Sequence, residues 1–81
     1  MLVNLKQWRE YVPMNQSQVY AGTLRRGTPV SITTISNAEQ GRPISRVKAQ
    51  AILDVLNEEL LRRGKIREPL RLEDIEALKI A

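Results

Sequence analysis

The sequence predicts an all-α fold, a compact bundle of about five helices. Two observations carry that prediction. Polar residues suited to helix starts (Asn4, Asn15, Ser31 and Ser45) each precede a run with apolar residues at helical spacing. Proline or glycine (Pro13, Gly27, Gly41, Gly64) then closes each run. With 81 residues the chain makes one small domain, burying only about 60% of its unfolded surface.

The first helix opens at Asn4, with Gln7 placed to return a capping-box hydrogen bond. Leu5, Trp8 and Val12 share one face, and Pro13 stops the run. Trp8 reads as a core anchor, because no aromatic stripe interleaves with basic residues as single-strand binding requires. Asn15 opens a second helix from Gln16 to about Arg26, with an apolar edge of Val19, Tyr20, Thr23 and Leu24. Gly22 inside it costs about 1 kcal/mol against alanine. Either a close backbone approach requires that glycine or the helix is loose there.

Ser31 caps a third helix of about two and a half turns, which Gly41 and Pro43 end. A strand is the competing reading, since Val30, Ile32 and Thr33 favour sheets. Alternation fails at Ile35, however, and the gap from Ile32 to Ile35 is helical. Ile35 and Ala38 point inward, leaving Thr33, Thr34, Ser36, Asn37 and Gln40 outside. An uncharged hydrogen-bonding face with a basic exit at Arg42 suits a DNA major groove. The segment is therefore read as a recognition helix. Together with the helix before it and the short turn between, it makes a helix-turn-helix arrangement.

Ser45 caps a fourth helix to about Arg63, ended by Gly64. Val47, Ala51, Ile52, Val55, Leu56 and Leu60 form its apolar face. Leu53 and Leu61 lie off the centre, as peripheral core or the start of a subunit contact. Beyond the charged run Lys65–Pro69, acidic residues come early and Lys79 late, which matches a helix dipole and predicts a short fifth helix. Ten residues do not hold a helix unaided. That extension must pack on its own domain or on a partner, and Leu70, Leu72, Ile75 and Leu78 are its expected dimer or partner contacts. The chain thus divides into a DNA-binding domain, residues 1–64, and a C-terminal extension, residues 65–81.

Charge is distributed unevenly. Through Lys48 seven basic residues face only Glu10 and Glu39, a net of +5, whereas the remainder carries six basic and seven acidic, a net of −1. The positive field belongs to the half with the recognition helix, as a phosphate-facing surface requires. There is no cysteine and no histidine, which excludes disulfides, thiol chemistry and nearly every zinc or iron site. Neither metal nor cofactor is expected. No apolar run approaches 18 residues and the N-terminus resembles no signal peptide, so a soluble cytoplasmic protein with no membrane partner is expected. Glu58/Glu59 and Glu73/Asp74 are adjacent pairs rather than carboxylates opposed across a cleft, and a bundle this small has little room for a pocket. An enzyme is not expected.

The run Val30-Ser31-x-x-Thr34-Ile35-Ser36-x-x-Glu39-x-Gly41 resembles the recognition helix of the Cro/C1-repressor (XRE-like) helix-turn-helix family. The resemblance spans roughly residues 4–63 and is densest at 30–45. It implies a lambda-repressor-like bundle and a transcriptional regulator, usually a homodimer on a palindromic operator of double-stranded DNA. By that resemblance Ile35 and Ala38 are buried, and Glu39 is a structural acid bonded to backbone or to a basic neighbour. Ile32, Thr33 and Asn37 fall where the family reaches base edges, with Thr34 and Ser36 on the same face. Gln16 or Ser17 matches the polar start of the second helix, which touches phosphate. Ser31, Gln40, Arg42, Arg46 and Lys48 fall where backbone contacts lie.

One departure is plain: the connection before Ser31 is longer than the family pattern by four or five residues. The extra Arg25-Arg26-Gly27-Thr28 either lengthens the second helix by a turn or forms a loop; the loop is the favoured reading, with its two arginines contacting phosphate. The alternative function is an antitoxin or phage-type accessory protein whose segment Leu70–Ile80 binds a protein partner.

Overall fold

Each predicted cap opens a helix. The computed structural model describes residues 3–81 and contains α1 (Leu5–Tyr11), α2 (Gln16–Arg25), α3 (Ile32–Glu39) and α4 (Arg46–Arg62). The Asn4 side chain accepts from Gln7 N–H while the Gln7 amide oxygen accepts from Asn4 N–H, and Asn15 and Gln18 repeat that exchange. Ser31 and Ser45 accept from the N–H groups of Thr34 and Lys48. Each cap satisfies a backbone donor that the helix cannot, a contribution of about 1 kcal/mol. Gly41, with φ of 79°, ends α3 in a conformation that a side chain would strain.

The expected fifth helix is absent. Its place is taken by a single 3-10 turn, Leu72–Asp74, and a two-residue strand, β2 (Ile75–Glu76). That strand pairs in parallel with β1 (Val3–Asn4), in the register Val3↔Ile75 and Asn4↔Glu76. Further on, Ile44 forms an isolated bridge with Ile80. The fold is therefore mostly helical with a small parallel ladder, rather than all-α. The charge pattern that favours a helix is worth only tenths of a kcal/mol per residue. Unpaired backbone at Val3–Asn4 and Ile44 offers this segment hydrogen bonds that an isolated ten-residue helix would not hold.

The C-terminal segment folds onto its own domain. Leu72 and Ile75 are buried in the core, and Leu70 and Leu78 are half-buried against it. The four residues expected as dimer or partner contacts are thus occupied within one chain. Buried Asn57 on α4 clamps the start of the segment: its Oδ1 accepts from Leu70 N–H at 2.8 Å and its Nδ2 donates to Leu70 C=O at 3.0 Å. The radius of gyration, 11.2 Å, matches the about 12 Å of a globule this size.

The core lies between α4 and the other elements. Ile52, Leu53, Leu56 and Leu60 of α4 meet Leu5, Val12, Val19, Val30 and Ile35. Leu53 is core, whereas Leu61 is exposed. Trp8 packs half-buried on this cluster with its ring edge toward Tyr11, and its indole N–H is buried without an acceptor among the described residues. Val47, expected in the apolar face of α4, is 68% exposed. On α2 the buried face is Val19, Gly22 and Thr23, while Tyr20 and Leu24 are exposed, contrary to the predicted edge. Gly22 allows the close approach: a Cβ there would lie 2.7 Å from Val55 Cγ1 of α4. The shift of face follows, since α4 lies on the glycine side.

Candidate nucleic-acid interface

Helix α3 is held at both ends and on one side. At its start Ser31 Oγ takes the Thr34 N–H at 3.2 Å and donates to Thr34 Oγ1 at 3.0 Å. Ser31 and Thr34, expected on phosphate and base respectively, are therefore engaged with each other. Ile35 and Ala38 face the core. The outward strip consists of Thr33, Ser36, Asn37 and Gln40, with Ile32 beside it at 42% exposure.

Near the end of α3, Glu39 turns inward to Arg9 of α1. Arg9 Nε lies 2.5 Å from Glu39 Oε2 and Arg9 Nη2 lies 3.1 Å from Oε1. Arg9 Nη1 donates to Met14 C=O at 2.9 Å, and Gln16 Nε2 at the start of α2 donates to Glu39 Oε1 at 3.2 Å. The two charged side chains are only 12% and 6% exposed. Hydrogen bonding to Glu39 holds the Arg9 guanidinium above its ordinary pKa, against the opposing effect of burial. The pair joins α1 and α3, and Gln16 brings in α2. Glu39 is bonded to a basic neighbour, one of the two partners expected of it. Gln16, expected on phosphate, has its amide directed at Glu39.

Between these helices lies an open groove of about 780 Å³, lined on one side by Lys6, Asn15 and Ser17 and on the other by Ile32, Ser36 and Gln40. A bundle this size was expected to have little room for a cavity; the space is a surface groove, not an interior one. Along the outward strip Gln40 Nε2 donates to Ser36 Oγ at 3.1 Å, and Arg42 Nη1 donates to Asn37 Oδ1 at 3.0 Å. The strip thus presents amide and hydroxyl groups with one exposed cation gripping its far end.

The other expected phosphate contacts divide. Lys48 is exposed on the first turn of α4. Arg46 lines a different groove, with Thr28, Val47 and Asp54. The loop carrying two arginines does not form. Helix α2 continues through Arg25, and Arg26 is its C-cap. Of the extra residues only Arg25 is helical; Gly27 and Thr28 lie in the connection, over which buried Thr23 reaches, accepting from Val30 N–H at 3.0 Å and donating to Tyr20 C=O at 2.8 Å. Arg26 Nη1 is 2.6 Å from Glu58 Oε2 on α4, an exposed ion pair. Arg25 is exposed on the last turn of α2.

No family model, curated protein or solved structure matches this chain. Among the described residues no helix is long and apolar enough to cross a membrane, and no three His, Cys, Asp or Glu side chains gather as a metal site. Arg9 and Lys6 are the interface residues that sequence reasoning did not single out. Arg9 shares α1 with no acid that signals its partner, since Glu39 lies 30 residues away. Lys6 is one of several surface cations, and only the position of α1 beside α3 brings it to the groove.

Proposed function

We propose that the protein is a sequence-specific DNA-binding regulator of repressor type, with α2 and α3 as a helix-turn-helix and α3 laid into the major groove. It acts as a binder rather than an enzyme. The observation that carries this reading is the disposal of Glu39. The one carboxylate on α3 is withdrawn from the surface and neutralised by Arg9. What remains outward is uncharged, hydrogen-bonding and free of repulsion toward phosphate.

On that surface Asn37 and Gln40 offer the amide geometry that pairs with adenine, and Thr33 and Ile32 offer methyl groups for thymine, each worth about 1–3 kcal/mol of discrimination. Lys6 and Arg42 flank the strip and, with Lys48 exposed on the first turn of α4, supply the phosphate contacts that fix register. Regulation is then steric: a bound protein blocks polymerase from the same duplex. The alternative, a tail that holds a protein partner, is disfavoured by the burial of Leu72 and Ile75.

Selection of bound sites from a random duplex library at defined salt tests the proposal. Enrichment of one motif is expected. Retention of all sequences alike would refute it.

A further inference from the structure

A second groove, of about 400 Å³, shares no residue with the one beside α3. It is lined by Thr28, Arg46, Val47, Gln50, Ala51 and Asp54. Val47 is more exposed than the other large hydrophobic residues that reach the surface. A valine at that exposure, beside Ala51, is apolar surface without a covering element among the described residues.

The charges around it are arranged with a direction. Arg46, Gln50 and Asp54 stand at i, i+4 and i+8, one row of the helix surface about 12 Å long. The row has a cation at one end, a neutral amide at its centre and a carboxylate at the other. Gln50 Nε2 is bonded to Asp54 Oδ1 at 2.8 Å, so the amide stays on that row.

We propose that this face pairs with the same face of a second copy, the two α4 helices running antiparallel about a two-fold axis at Gln50. That operation sets each Arg46 against Asp54 of the partner subunit and turns each Val47 toward the other chain's Ala51. A parallel pairing would set like charge on like, so the row selects one orientation. An isologous contact of this kind needs no other surface. With only two small Val47–Ala51 pairs, related by the axis, it falls below a standard interface in area, and the dimer is weak and concentration-dependent. The proposal goes beyond DNA binding and does not rest on it.

Sedimentation equilibrium of the full chain without DNA, up to about 1 mM, reads the association directly. The weight-average mass is expected to rise from the 9.3 kDa of one chain toward twice that value. Arg46→Asp puts carboxylates at both ends of the row, and Asp54→Arg puts cations at both. Each alone is expected to lower the association constant by about tenfold or more. An equimolar mixture of the two variants is expected to associate at least as well as the wild type, because every facing pair is again of opposite sign. Val47→Glu, on an exposed side chain, should abolish association while the helical circular dichroism is unchanged. A monomer throughout the concentration range overturns the proposal. So does a dimer that ignores the single charge reversals, or variants that fail to rescue one another. Since no nucleic acid is present, failure here leaves the DNA reading untouched, and failure of site selection leaves this one untouched.

Discussion

Arg9 and Glu39 meet as a bidentate pair, Nε to Oε2 at 2.5 Å, and so tie the first helix to the third almost out of contact with water. A buried ion pair of this kind is a poor source of net stability, because desolvation offsets most of the attraction. Its value lies in direction. It fixes which side of α3 faces inward, and breaking it by halves is far worse than removing it whole.

Arg9→Met leaves Glu39 charged and without its main partner, and should cost about 3–5 kcal/mol in urea unfolding. The double variant Arg9→Met, Glu39→Leu should recover most of that loss. Equal destabilisation by the single and double variants would show that the pair does not act as a unit.

Asn57→Ala removes both hydrogen bonds to Leu70. A loss of about 1–3 kcal/mol is expected, together with faster amide exchange through residues 70–80. Unchanged exchange there would mean that Asn57 does not hold the segment.

Gly22→Ala sets two effects against each other. The helix gains about 1 kcal/mol of propensity, but the new methyl meets Val55 Cγ1 at 2.7 Å. Overpacking of about 1–3 kcal/mol wins, so thermal stability should fall. In a Val55→Ala background the sign should reverse. Destabilisation in both backgrounds would place the strain elsewhere.

On the proposed function, Asn37 and Arg42 should have separable roles although they are hydrogen-bonded to each other. Asn37→Ala should relax sequence preference by about 1–3 kcal/mol at one or two base pairs and leave the salt dependence unchanged. Arg42→Ala should weaken all sequences alike and reduce the slope of log K against log salt by about 0.9. Titrations on selected and shuffled duplexes at several salt concentrations separate the two. Equal loss of specificity in both variants would contradict these assignments.

The parts of this fold that were legible in the sequence are those whose cause is local. Asn4 and Gln7, or Ser31 and Thr34, interact within one helical turn, so their residue types announce the caps. The inward placement of Ile35 and Ala38 follows from the same short period. What stayed hidden depends on distant partners. The charges of residues 70–80 favour a helix on their own, and nothing near them announces the backbone of Val3 and Ile44 that draws them into extended pairing. Likewise Thr23 reads as ordinary apolar edge until its hydroxyl is found over the connection, bonded to Val30 N–H, just past the point where Arg25 closes α2 and Arg26 caps it.

The pairing of Val3 with Ile75 also sets an order of events. As the chain leaves the ribosome, β1 emerges ahead of the four helices and of its partner strand. Helices α1 to α4 have short-range caps and are free to collapse early, but the ladder closes only after its far half has cleared the exit tunnel. The ladder is therefore completed only after all four helices have been made, and any stall ahead of Ile75 leaves a nascent bundle with an open edge.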